Sequence, residues 1–389
     1  MYSEVVIIGG GPAGLSFACS LARSGLSVCI VEKQKENALK SPVFDGRDTA
    51  LSHKSKRILE SIGVWDCIPS NEIFLLKEAR VFSGSSSFAL HLDAEEVGAD
   101  TLGYIIPNYI IKQALYEKVS QLKNVKVLTN ATVQSVDTSG ETHAFVKLED
   151  GGVIKTKLVA AADSRFSPLR RGKGICTEMQ DLGEVMIVCE MTHEEPHHHV
   201  AYECFHYGRT LAVLPLSDRR SSVIVTAETP LADKLLGLSS NEFSTDIETQ
   251  FEHRYGKMRL DSERIPYPLV MTYANTFVKH RFALIGDAAV GMHPVTAHGF
   301  NLGLLGQYEL ANEIDSALSL GLDVGSKVVL EAYNNSHRKN CKPLFLATKA
   351  ISTLYTKSGS ASRLMRKGLL HIANKVSPIK SSIIRKITT

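Results

Sequence analysis

Val5-Val6-Ile7-Ile8 runs directly into Gly9-Gly10-Gly11-Pro12-Ala13-Gly14, and few folds admit that junction. A β-branched run this short reads as a strand buried on both faces. A helix from about Pro12 to Ser24 follows, with Gly25 placed as its C-terminal cap. Ser27 to Glu32 reads as a second strand, which completes a βαβ unit. Within that unit Gly9 allows the tight turn. Gly11 lets backbone approach a pyrophosphate, and Gly14 lets helix and strand pack closely. Pro12 and Ala13 open the helix, whose first-turn N–H groups and positive dipole end face the phosphates. Glu32, followed by Lys33, ends the second strand and is placed to bind ribose hydroxyls. An acid there suits an unphosphorylated ribose, as in FAD or NAD.

The same stretch excludes a membrane reading. Val5 to Ala22 carries no charge, which is near the length of a span. Its glycines and Pro12 would break a spanning helix, and the acid Glu4, not a basic start, precedes it. The 389 residues are 44% hydrophobic and 22% charged, which fits roughly two globular domains. A net charge of +3 gives no case for nucleic acid. Seven scattered cysteines with no CxxC speak against a disulfide framework or zinc site, and fit a cytoplasmic chain. His197-His198-His199 invites a metal reading. Adjacent side chains alternate direction, so a turn leading into Val200 to Phe205 is expected instead and no metal.

Further along, Thr49 to Gly63 reads as a helix and residues 74 to 98 as strand-rich, with a serine turn at Ser83 to Ser87. Residues 108 to 121 look helical. Ile154 to Ala162 reads as one strand, and longer alternating strands run from about 182 to 228. Arg281 to Gly286 returns to a buried strand, and helices follow. The expected fold is α/β: a Rossmann-type domain with an inserted mixed β-sheet substrate domain and C-terminal helices. Residues 1–73, 99–181 and 273–340 belong to the first, 74–98 and 182–272 to the second, and 341–389 form a basic helical region.

Two more motifs place an Asp after a buried strand. Gly286-Asp287-Ala288-Ala289 offers a carboxylate to a polyol hydroxyl, which the ribityl chain of FAD supplies and NAD lacks; a simple helix cap is the alternative. Asp163-Ser164-Arg165 ends another strand, with further basic residues after it. In this order and spacing the motifs resemble the FAD-dependent aromatic hydroxylases of the para-hydroxybenzoate hydroxylase fold. Within that group the chain resembles the ubiquinone-biosynthesis hydroxylases (UbiH/UbiF/VisC). Arg47 to Ser52 and Gly103 to Asn108 are similar to two further segments of that family, and Met292 to Gly303 is similar to its UbiM-type members.

The resemblance implies roles. Gly9, Gly11, Gly14 and Glu32, with Pro12, Ala13 and Lys33 beside them, would bind the ADP half of FAD. Arg47 would lie near its phosphates, Asp163 would support FAD and the approach of NAD(P)H, and Gly286-Asp287 would hold the ribityl region. Pro294 would pack beside the isoalloxazine, and Gly299-Phe300-Asn301 would turn backbone N–H groups toward it. The implied chemistry is monooxygenation: NAD(P)H reduces FAD, O2 forms a C4a-hydroperoxide, and a polyprenylated phenol or quinol on the way to ubiquinone is hydroxylated. Two departures stand out. Ser164 replaces the usual Gly and tolerates φ > 0 less readily. His298 replaces a common Gln; it is a candidate acid or base, or a loop residue whose backbone matters more. Hydroxylation of a soluble aromatic, a flavin reductase and a flavin-binding scaffold of a biosynthetic complex stand as alternatives.

After Glu331 the chain has no acid, while Arg338 to Lys386 carries twelve Lys or Arg residues. Apolar positions from Leu364 to Ile384 interleave with them at broadly helical spacing. That suits contact with the inner face of a membrane, or a helix packed on the first domain with its basic face in water.

Overall fold

A computed structural model describes residues 1–83, 89–206, 208–293 and 298–356. Its first sheet has six strands in the order Val278–Lys279, Phe282–Leu284, Leu158–Ala161, Val5–Ile8, Val28–Val31 and Val125–Leu128. All neighbours are parallel except the edge pair. Val5 to Ile8 are buried throughout, as a strand covered on both faces requires. The helices Pro12–Leu21, Asn108–Ser120 and His298–Ser319 cover this sheet, and Ser20 Oγ donates to Gln307 Oε1 at 2.7 Å between the first and last of them.

The sequence reading needs correction in two places. Thr49 to Gly63 is not one helix. Asp48–Leu51 is a strand paired antiparallel with Gly103–Pro107, and only His53–Ser61 is helical. Ser52 makes the break: its hydroxyl caps the helix by accepting from the Ser55 N–H at 3.2 Å. Ile154 to Ala162 is likewise two strands. Val153–Thr156 ends a three-stranded antiparallel sheet, and Leu158–Ala161 enters the parallel one. The chain changes sheets at Lys157, whose N–H donates to Glu4 O at 3.0 Å.

The second sheet has nine strands. Thr177–His193, Val200–His206, Arg209–Pro215 and Arg220–Glu228 form its centre, and Glu78–Ser83 joins parallel to Val200–His206. Phe74–Leu76 belongs to a separate small sheet with Gly103–Pro107. Strand periodicity separates two faces. Ile187, Cys189, Val213, Val223 and Val225 pack with Phe243, Ile247 and Phe251 from the covering helix region. Their neighbours in sequence, such as Val188, Ala212 and Ile224, face the other way into a large cavity.

The histidine run is explained by this packing. His197 Nε2 sits 2.7 Å from Ser217 O, and its Nδ1 accepts the His199 N–H at 3.0 Å. His193 Nδ1 lies 2.6 Å from Glu195 O. Burial pushes the pKa of both rings down, so they serve as neutral ties for the backbone. Among the described residues no group of three or more His, Cys, Asp or Glu side chains could hold a metal ion.

Candidate active site

A single cavity of about 2080 Å³ joins the two sheets. At one end lies the glycine turn. Gly9 has φ +113°, and a Cβ there would meet Ala162 O at 2.4 Å. A Cβ on Gly14 would meet Gly9 O at 2.0 Å. Gly11 differs: among the described residues a Cβ there meets no atom within 4 Å beyond its chain neighbours and would fill the cradle itself. The first intrahelical bond runs from Leu15 N to Gly11 O, so the earlier amides face the cavity side without helical acceptors.

Glu32 is buried, and both its oxygens are engaged. Oε2 accepts from Gly10 N at 2.5 Å and Oε1 from Gln34 N at 2.8 Å. The carboxylate therefore fixes the glycine turn, and Glu32 lines the cavity there. Pro12, Ala13 and Lys33 line the cavity beside it, whereas Gly14 lies beneath the turn as a packing residue.

The middle of the cavity gathers residues distant in sequence. Arg47 pairs with Asp45, its Nε 3.0 Å from Asp45 Oδ2, and lies over the Tyr267 ring at 5.3 Å. Asp45 is itself held by Asn108 Nδ2 at 2.8 Å, while the Tyr267 hydroxyl donates to Asp45 O at 2.6 Å. Asp287 is paired with Arg165 at 3.0 Å. Arg170, 1% exposed, donates to Ala288 O at 2.6 Å and to Arg165 O at 2.7 Å. It ties the Asp163 loop to the Asp287 loop. Burial raises the Asp163 pKa, opposed by hydrogen bonds from Ser167 and Leu169 and by the Arg170 charge. Its Oδ1 is buried with no donor among the described residues, a polar atom that a bound polyol or amide can satisfy.

His298, Gly299 and Phe300 line the cavity at the start of their helix. Asn301 does not. Its Oδ1 accepts from Ser52 N at 3.0 Å and Ser55 Oγ at 2.6 Å, and its Nδ2 donates to Ala50 O at 2.8 Å. It anchors the helix to the Asp48–Leu51 strand. Pro294 lies outside the described residues. Gly286 adopts φ +60° and lines the cavity against Ala13.

The motifs showed the glycine turn, the two Asp loops and the start of the helix His298–Ser319 in this lining. Asp45 and Tyr267 were not found from the sequence. Tyr267 lies 222 residues from Asp45, and no local pattern marks that pairing. The basic residues after Asp163 were visible, but not their partners.

Ser164 carries φ +93°, a conformation that glycine adopts freely. Strain of this kind costs on the order of 1–3 kcal/mol, and a glycine gives back about half to one kcal/mol through the unfolded state. Ser164→Gly is therefore expected to stabilise the protein by about 1 kcal/mol, raising the melting midpoint by about 2 °C. Calorimetry of the two proteins checks it; an unchanged or lower midpoint would show the strain relieved by other contacts.

The glycine cradle, the buried acid Glu32 after the strand Val28–Val31 and the Asp after the strand Phe282–Leu284 all fit FAD. Together with the sheet-roofed chamber they define a FAD-dependent monooxygenase. The chain belongs to the FAD-binding-domain family, whose model matches residues 2–342. It is 43% identical to the ubiquinone hydroxylase UbiM of Neisseria meningitidis, over 100% of this chain and 85% of that protein. It is 32% identical to the ubiquinone hydroxylase UbiL of Rhodospirillum rubrum, over 98% of this chain and 89% of that one. The p-nitrophenol 4-monooxygenase PnpA of Pseudomonas putida shares the fold, with a TM-score of 0.80, 21% identity and coverage of 99% and 97% of the two chains.

Proposed function

We propose that this protein hydroxylates the aromatic ring of a polyprenylated phenol or quinol in ubiquinone biosynthesis, using FAD, NAD(P)H and O2. The observation that carries this reading is the continuity of one cavity from the dinucleotide cradle to an apolar chamber under the second sheet. Similarity to UbiM and UbiL supports the substrate class.

Bound flavin supplies the oxygen activation that no protein side chain provides. The chain's own part is binding, orientation and dryness. Gly9 and Gly11 admit the pyrophosphate, Glu32 the ribose, and Asp163 and Asp287 the polyol stretch. The helix start at Gly299 and Phe300 borders the ring, with Asn301 fixing that helix and His298 contributing mainly through its backbone; the role expected of Pro294 falls on a residue outside the described ones. Partial charge at the helix start favours an anionic ring edge. The second sheet is the substrate domain, and Met186, Val188, Leu214, Ile224 and Leu269 exclude water from its chamber. NAD(P)H visits transiently, in keeping with a sequence that shows one dinucleotide fingerprint. Among the described residues no helix is long and apolar enough to cross a membrane. The basic stretch from Leu364 to Ile384, which lies outside the described residues, is the surface we assign to membrane contact; a biosynthetic complex is a further partner in this reading.

The test follows NAD(P)H oxidation by the flavin-loaded protein with and without a short-chain prenylphenol. Stimulated oxidation with a product heavier by one oxygen atom is expected. Bound flavin without stimulation would instead favour a reductase or a scaffold, and product from a soluble phenol alone would move the substrate class.

A further inference from the structure

On the cavity face of the second sheet one cross-strand row runs Val188, Ile224, Ala212, Glu203, Val81. All five line the cavity, and four of them are apolar. The adjacent row, Met186, Thr226, Thr210 and Phe205, offers only hydroxyls and hydrocarbon. Glu203 is thus a carboxyl set in the middle of an apolar wall. Its flanking neighbours across the strands, Val81 and Ala212, give it nothing to bond. Arg80, the nearest cation in the register, sits opposite Tyr202 and is held by Glu78 at 2.6 Å.

No hydrogen bond or ion pair satisfies Glu203 among the described residues. Glu203 is half-buried in the wall, and the cavity is what its side chain meets. An apolar residue would serve this wall better, since an unpaired carboxyl in such surroundings is costly. A group that breaks the local pattern without a structural return marks a functional position.

We propose that Glu203 is a catalytic residue that hydrogen-bonds the ring hydroxyl of the substrate and takes its proton. This rests on the phenol reading above. The substrate O–H bond breaks, the proton goes to a Glu203 carboxylate oxygen, and the electron pair stays on the ring oxygen. That pair enriches the ring carbons ortho and para to it, which is what an electrophilic oxygen transfer needs. The proton returns to the product oxygen on release. Burial supports the assignment by pushing the Glu203 pKa up to about 8, closer to a phenol near ~10 than an ordinary carboxylate is.

The experiment uses the flavin-loaded full chain at pH 8, with Glu203→Gln and Glu203→Leu beside the wild type. Binding of a short-chain prenylphenol and of its O-methyl ether is measured by equilibrium dialysis, and phenol hydroxylation by product mass. Glu203→Gln keeps the hydrogen bond but cannot take the proton. It is expected to bind the phenol within about threefold and to lose about 100-fold or more in kcat, the usual scale of a general base. Glu203→Leu is expected to weaken the phenol about tenfold, the scale of one hydrogen bond. It should leave the ether unchanged or tighter. Equal effects on both ligands, or an unchanged kcat in Glu203→Gln, would overturn the assignment while leaving the phenol reading intact. A wild type that binds neither ligand would overturn both.

Discussion

Gly11→Val is expected to lower FAD affinity by about 100-fold or more, or about 2.7 kcal/mol, while the apoprotein keeps its stability. The two halves of this expectation come from different observations. Gly11 has φ −79° and ψ 177°, extended backbone that valine adopts without strain. A Cβ built there meets no atom of the described residues within 4 Å beyond its chain neighbours, so the folded chain accommodates the side chain. The added methyls then occupy the cradle at the start of the helix Pro12–Leu21, where close backbone approach to the pyrophosphate is required. Gly14→Ala makes the contrast. There the new methyl would lie 2.0 Å from Gly9 O, so the turn must move and the apoprotein itself should lose roughly 1–3 kcal/mol. Flavin titration and apoprotein melting separate the two variants. A Gly11→Val protein with wild-type FAD affinity would place the pyrophosphate elsewhere.

Arg170→Met should destabilise the fold by about 3 kcal/mol or more, the largest stability effect expected of any single change near the site. The guanidinium is 1% exposed and donates to Ala288 O and Arg165 O at 2.6 and 2.7 Å. Methionine fills similar volume but leaves two carbonyls without those donors, each worth roughly 1–3 kcal/mol when buried. It also removes the positive charge that opposes the raised pKa of Asp163. Because Arg165 pairs with Asp287, loosening Arg165 O releases that carboxylate as well. FAD affinity should therefore fall together with the melting midpoint. Chemical denaturation of apo and FAD-loaded protein reads both. Wild-type stability in Arg170→Met would mean that water replaces the guanidinium at both carbonyls.

Both variants act on residues that the motifs surround, yet only one was assigned a role from sequence. Gly11 is legible because its constraint is local: a strand, a turn and a helix within a few residues admit one backbone path. Arg170 shows in the sequence only as one basic residue among several after Asp163. Its role depends on a carbonyl 118 residues away, and nothing in the intervening chain encodes that distance. The sequence reading of Thr49 to Gly63 as a helix erred for the same reason. Asp48–Leu51 is a strand because Gly103–Pro107 lies beside it, and that partner supplies bonds a local pattern cannot show.

Local pattern alone made legible the βαβ unit, the glycine turn, the acid Glu32 after the second strand, and the two Asp-bearing strand ends. Short-range geometry and the burial period of each strand suffice for these. Only the tertiary structure decided which face of each alternating strand looks into the chamber. In Val200–His206 the alternate sets are Ala201, Glu203 and Phe205 on one side and Val200, Tyr202, Cys204 and His206 on the other, and neither set is uniformly apolar. Val200, Tyr202 and Cys204 pack with Val213 and Phe251 in the outer core, which turns Glu203 inward. Side-chain alternation fixes that two faces exist, but the burial of one against distant elements selects which is which.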